Sequence, residues 1–249
     1  MSISYPTNHC RLGVNIDHIA TLRNARGDDH PNLIRAAKIV EKCKADSITM
    51  HLREDRRHIL DKDLFEIKTK VKLPINLEIA PTFDMVEIAK KLKPESICLV
   101  PENREELTTE GGLDIVSNFE HLKKIIEKFI ETKIKICCFI DADLKQIESL
   151  KNLNINCIEF HTGRYALSKN QEEKNKFLNK IKKSVDYATK LGITCHAGHG
   201  LNFNNVYEIA SIKNIKELNI GQFLIGEAIF VGLETCIGKI KKKIESARK

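Results

Sequence analysis

The segment TMHLREDRRHIL, residues 49–60, sets two histidines, three arginines and two carboxylates directly behind an apolar run. Side chains on a strand alternate between its faces, so His51 and Arg53 point with Thr49 while Met50 and Leu52 pack on the other side. One face carries chemistry and the other builds core. Asp55, Arg56, Arg57 and His58 fall in the following loop, where guanidinium groups either clamp a phosphate or form a solvated cluster, the plainer reading for Arg56 and Arg57. In INLEIA (75–80), Asn76 and Glu78 share a face. A carboxylate inside so apolar a strand is costly unless paired or protonated, and burial raises its pKa toward the range where it can move protons near neutrality. Glu159 in CIEFHTG (157–163) poses the same choice between an acid–base group and a buried structural ion pair.

TCHAGHGLNF (194–203) and NIGQFLIGEA (219–228) are glycine-rich turns whose backbone N–H groups can approach phosphate oxygens closely. His199, between Gly198 and Gly200, is placed to act on such a ligand as acid or base, or else to cap a helix. PENREELTTEGGLDI (101–115) is nearly free of apolar residues for a dozen positions and contains a Gly111–Gly112 hinge. It reads as a lid whose Thr108, Thr109 or Glu110 meets substrate on closure, or as a plain surface loop. No lysine stands at the end of an apolar run to form a Schiff base, and no tight metal-ligand spacing is visible. Acid–base chemistry on a phosphorylated carbonyl compound remains.

These residues need a scaffold that gathers them. Eight β-rich runs lie along the chain, at 12–17, 47–52, 75–80, 96–100, 134–141, 156–162, 192–198 and 217–226. Between and after them run segments of helical period, among them 31–43 with Pro31 suited to a first turn, 82–92 with Thr82 as N-cap, 119–130, 143–150, 177–191, 204–212 and one C-terminal helix over 227–244. Eight strand–helix units in 249 residues are the length and rhythm of an α/β protein of the (β/α)8 TIM-barrel class. Its competitor, an open doubly wound sheet, lacks the G-x-G-x-x-G turn after the first strand that a dinucleotide site requires. In a barrel, chemistry collects at the carboxyl ends of the strands, and the runs here end on Asn15, Asp17 and His18, on His51 and Arg53, on Glu78, on Asp141, on Glu159 and His161, and on His196 and His199.

Composition sets the outer bounds. The even spread of apolar segments predicts a single domain over 1–249, with 1–10 as an N-terminal extension of no assigned role. The eight cysteines show no C-x-x-C and sit inside apolar runs, which predicts reduced buried thiols in a cytoplasmic protein, without disulfide or metal. No run is long enough to span a bilayer, so no membrane is expected. The net charge of +7 comes partly from KIKK (180–183) and KIKKK (239–243), which recur at helical spacing as solvated faces. With 6% aromatics, nucleic acid is not an expected partner, whereas anionic small molecules are.

GVNIDHIATLRNARG, ITMHLREDRRHI, NLEIA, LVPENREELTTEGGLD, IEFHTG, AGHGL and ELNIG together resemble the pyridoxine 5'-phosphate synthase family of the deoxyxylulose-dependent route to vitamin B6, from Leu12 onward. The resemblance implies a (β/α)8 barrel with extra helices, assembled as a homo-octamer. It implies condensation of 1-deoxy-D-xylulose 5-phosphate with 3-amino-2-oxopropyl phosphate to pyridoxine 5'-phosphate, releasing inorganic phosphate and water, with no metal and no cofactor. By the same resemblance His51 and Glu78 act as general bases and acids, His199 donates a proton and Glu159 stabilises a charged transition state. Asp17, His18, Arg53, His58 and Thr108 would hold the deoxyxylulose phosphate. Asn15, Gly200 and Gly221 would hold the amino-ketone phosphate, and Arg26 would enter a neighbouring subunit's site. Gln222 departs from the family's usual histidine, leaving an uncharged contact to phosphate. The rival reading is another phosphosugar epimerase or aldolase on the same fold.

Overall fold

The structure, a computed structural model, describes residues 8–102 and 111–249. Among them, β1 (Arg11–Asn15), β2 (Ser47–His51), β3 (Ile75–Ile79), β4 (Ser96–Leu99), β5 (Lys135–Ile140), β6 (Cys157–His161), β7 (Thr194–Gly198) and β8 (Ile215–Ile220) form a closed barrel in chain order. Every neighbouring pair is parallel, β8 closing on β1 through Leu12↔Leu218 and Val14↔Ile220. The (β/α)8 class expected from the spacing of the apolar runs is the observed one.

The helices are α1 (Asp17–Arg26), α2 (Leu33–Lys42), α3 (Asp61–Lys70), α4 (Phe83–Leu92), α5 (Phe119–Glu127), α6 (Leu144–Asn152), the single turn α7 (Gly163–Ala166), α8 (Gln171–Lys190), α9 (Val206–Ala210), α10 (Gln222–Val231) and α11 (Leu233–Ala247). Short polar caps set several starts: the side chains of Asn32, Asp143 and Asn170 accept first-turn N–H groups of α2, α6 and α8. Thr82 takes the N-cap position of α4 without a side-chain capping bond. Pro31 lies one residue ahead of the Asn32 cap rather than in the first turn of α2. Two boundaries differ from the sequence reading. The run 217–226 is not all strand: β8 stops at Ile220, Gly221 breaks it, and α10 begins at Gln222. The C-terminal helix expected over 227–244 is two helices, because Gly232 at φ 81° turns the chain between α10 and α11.

Outward strand residues such as Val14, Ile48, Met50, Leu77, Ile97, Ile158, Ala197 and Leu218 join the helices in one continuous apolar core. Each fully buried Leu or Ile contributes about 1.5–3 kcal/mol relative to exposure, so this outer layer carries the fold. The barrel interior is different. Its apolar part is small, Cys98, Val100, Cys137 and Phe139 with Cys157 packed against them, and the rest is polar and internally bonded. Thr49 Oγ1 lies 2.9 Å from Asn219 Oδ1, Ser96 Oγ 2.9 Å from Asn76 Oδ1, and Arg11 Nε 3.0 Å from Glu217 Oε2.

At the amino-terminal end, residues 8–10 of the extension are tied down. The Asn8 side-chain amide donates to the Arg248 carbonyl, His9 Nε2 lies 3.2 Å from Asp46 Oδ1, and Cys10 is buried. Among the described residues no helix is long and apolar enough to cross a membrane.

Candidate active site

The carboxyl ends of β1, β2 and β3 deliver one half of the site. His51 is the last residue of β2; its backbone N–H donates to Asp17 Oδ1 at 2.9 Å, and Asp17 Oδ2 accepts from Asn15 Nδ2 at 2.8 Å. Asp17 is therefore the first residue of α1 rather than the end of a strand, and it stitches β1 to β2 at the mouth. The His51 ring is held on both edges: Nε2 lies 2.9 Å from Glu102 Oε1, and Nδ1 3.9 Å from Glu78 Oε2. Asp17, His51 and His58 bring their ligand atoms within 4.8 Å of one another. The sequence shows no such cluster because the three are drawn from a helix start, a strand end and a loop. Arg53 is buried with Nε 3.5 Å from Asp55 Oδ1. Arg56 pairs with Asp61 and Arg57 with Asp55, as a cluster of loop charges would.

The other half comes from β5, β6 and β7. His161 Nδ1 lies 3.0 Å from Asp141 Oδ1, and the rings of His161 and His199 meet edge to face with centroids 5.0 Å apart. His199 has φ 81°, a left-handed backbone that only a well-determined loop holds in a non-glycine residue. Thr162 Oγ1 fixes that loop by donating to the carbonyls of Gly198 and His199. Glu159, buried, accepts from Asn219 Nδ2 at 2.6 Å, and a Cβ at position 198 would collide with its carboxylate. Glycine at 198 is what lets β7 pass this acid.

The halves face each other. Glu78 feels the charge of Glu159 and of Asp17, while His18, exposed on the first turn of α1, is felt by both His58 and His199. Burial is the main cause of the shifts here. It raises Glu78 well above the ordinary carboxyl range, with Glu159 and Asp17 adding to it. It lifts Glu159 to about 7 against the opposing charge of His196. It lowers His58, and takes His199 down to about 4, with His161 and His18 adding to the drop. At neutral pH the mouth therefore holds neutral imidazole at His199 and, at Glu78 and Glu159, carboxyls that retain protons readily, a set able to accept and return protons.

The loops after β7 and β8 adjoin through Phe203 and Phe223, whose rings meet edge to face at 4.7 Å. Gly221 caps α10, and a Cβ there would come within 2.7 Å of Asn15 Cβ, so glycine allows the turn to close on β1. Gln222 is the exposed first residue of α10, and Gly200, at φ 74°, follows His199. A ten-residue helix with its unpaired N–H groups at the mouth is a natural anion cradle. Arg26, at the end of α1, is exposed. Thr108, Thr109 and Glu110 lie outside the described residues. Glu102, the closest partner of His51, is a residue the sequence did not single out. It stands in a stretch of sequence where four acids occur within ten positions, and nothing in the spacing marks it from the others.

The family described as pyridoxal phosphate biosynthesis protein PdxJ matches residues 12–246. A pyridoxine 5'-phosphate synthase of Zymomonas mobilis subsp. mobilis is 50% identical over 242 residues, 97% of this chain and 94% of that one. One from Ehrlichia canis is 51% identical over 235 residues, covering 94% and 97%. In fold alone, the chain is similar to thiamine phosphate pyrophosphorylase from Pyrococcus furiosus, with a TM-score of 0.63, 14% identity and coverage of 97% and 98%. With a matched segment running from β1 into α11 and half of all residues shared with full-length relatives, the chain belongs to the PdxJ family of pyridoxal phosphate biosynthesis proteins.

Proposed function

We propose that this chain is a cytoplasmic pyridoxine 5'-phosphate synthase, a single (β/α)8 domain that condenses 1-deoxy-D-xylulose 5-phosphate with 3-amino-2-oxopropyl phosphate and releases inorganic phosphate and water. The observation that carries the reading is His51 held between Glu102 and Glu78, opposite Glu159 and His199. Ring closure from an amine and a carbonyl needs several proton transfers in sequence, and a mouth lined with groups of opposed pKa shifts can supply them.

In this mechanism Asp17, His18, Arg53, His58 and Thr108 bind the deoxyxylulose phosphate. Asn15, Gly200, Gly221 and the amide of Gln222 bind the amino-ketone phosphate at the start of α10. The amine attacks the carbonyl and water leaves; His51 and Glu78 take protons from carbon and return them to departing oxygens. Glu159, ionised, balances the positive nitrogen as it develops. Burial holds His199 neutral near pH 7, so its role as donor depends on the two phosphates, whose negative charge raises its pKa on binding.

The assembly is a homo-octamer in which Arg26 enters a neighbouring mouth. What supports an assembly is exposed apolar surface at the C-terminal end of α10: Ile229 and Phe230 are 69% and 81% exposed.

Mixing the purified protein with both substrates after chelator treatment tests the activity. Pyridoxine phosphate absorbance and free phosphate should appear together. A metal-using phosphosugar epimerase or aldolase would instead fall silent with chelator and yield neither.

A further inference from the structure

The lower interior of the barrel, opposite the mouth, holds a second cluster that the mechanism does not use. Three successive strands each send one cysteine inward at the same level. Cys98 on β4 is in register with Cys137 on β5, and Cys137 lies alongside Cys157 on β6, since the next residues, Cys138 and Ile158, are partners. His196 on β7 stands one inward position higher, level with Glu159, and its ring reaches down to Cys157. Its two ring nitrogens are each 3.8 Å from Cys157 Sγ, and the Cys137, Cys157 and His196 ligand atoms all lie within 4.8 Å of one another. The Cys98 thiol hydrogen-bonds to Cys137.

We propose that Cys137, Cys157 and His196 form a structural site for one thiophilic divalent ion, zinc by preference, with Cys98, in register beside Cys137, turning in as the fourth ligand. Around tetrahedral zinc, sulfur at about 2.3 Å and nitrogen at about 2.0–2.1 Å place neighbouring donor atoms roughly 3.5–3.8 Å apart; Cys157 Sγ already stands 3.8 Å from the His196 nitrogens, and Cys137 closes in from within 4.8 Å. Three thiols and one imidazole are a closed set with no position left for water or substrate, which fits a structural rather than a catalytic ion. The second shell is built too. Glu217 Oε1, 3.7 Å from His196 Nδ1, is placed to take the ring N–H and leave Nε2 for the ion, and Arg11 Nη2, 3.3 Å from Nε2, gives way to the ion while its Nε keeps the ion pair with Glu217. A barrel floor is ordinarily filled by branched aliphatic side chains; this one places adjacent thiols where such packing would stand. Binding displaces the thiol protons to solvent and leaves the sulfurs as thiolates. Entry is from the amino-terminal end, where Cys157 is half-buried beside exposed Thr194. The chain carries no C-x-x-C spacing because its ligands come one per strand, so only the closed barrel assembles them.

Metal analysis of the full-length protein, expressed with added zinc and gel-filtered through a weak chelator, tests the site. The expected result is one zinc per chain, retained by Cys43→Ser and lost by Cys157→Ser and His196→Asn. Cobalt in place of zinc should give thiolate-to-metal charge-transfer absorption in the wild type, a readout that stands even if a variant does not fold. Zinc-free wild type, zinc undiminished in folded Cys157→Ser, a Cys137–Cys157 disulfide, or cobalt without that absorption would overturn the proposal.

Discussion

At the scale of the residue, His51 is the group on which most contacts converge, and Glu102 is the one that holds it most closely. A carboxylate behind an imidazole fixes its tautomer and orientation. Glu102→Gln should lower kcat by about 10–100-fold with little change in KM, and should shift the acid limb of the pH–rate profile, whereas a purely structural loss would move neither limb. The buried titrations also shape stability. His199 is lowered in the fold to about 4 from an ordinary 6.5, so the unfolded chain binds its proton first, and stability falls as pH drops through that window. Glu78 is raised, so its contribution is present below about 4.5 and is lost as pH rises through its folded pKa. Urea midpoints against pH should show His199→Gln flattening the acid side and Glu78→Gln flattening the rise-in-pH side. The chemical residues His51, Arg53, Glu78, Glu159 and His199 were legible because an ionisable group at the end of an apolar strand is costly and so stands out. Glu102 was not, since one acid in a charged loop looks like another.

At the scale of the element, the eight strands were legible from apolar runs with polar ends, and the barrel followed from their number. Two elements were hidden. The sequence puts Asp17 at the end of the first apolar run and assigns 19–26 to no element, yet DHIATLRNAR forms α1, because Asp17 spends its side chain on the His51 and Asn15 amides while Ala20 and Arg23 bury one face. NIGQFLIG is apolar enough to extend a strand, yet Gly221 turns it into a helix whose start faces the mouth. That turn works only with a bare Cα against Asn15. Gly221→Ala should raise KM for the amino-ketone phosphate about tenfold or more with KM for the other substrate little changed, while the clash with Asn15 lowers the melting temperature modestly and circular dichroism keeps its wild-type form. A matching rise for both substrates with a collapsed melting temperature would mean that the glycine serves only the fold.

At the scale of the whole molecule, the barrel separates stability from chemistry. The outer shell is a continuous apolar core, the mouth is polar and proton-active, and the floor is a row of thiols. Assembly could not be read from periodicity, because an exposed Phe230 on an amphipathic pattern looks like any other apolar residue until the helix is seen with that side uncovered. If the proposed octamer forms through this face, Phe230→Asp should give smaller species by analytical ultracentrifugation, with activity falling alongside. Unchanged sedimentation would remove α10 from the interface.

The most direct test of convergent acid–base groups at one barrel mouth is the rate of pyridoxine 5'-phosphate formation from the two phosphorylated substrates by wild type, His51→Ala and Glu78→Gln, each confirmed folded. Loss of the general acid–base groups should lower kcat by about 10²–10⁴-fold while both substrates still bind. Variants that turn over within twofold of wild type would contradict the account.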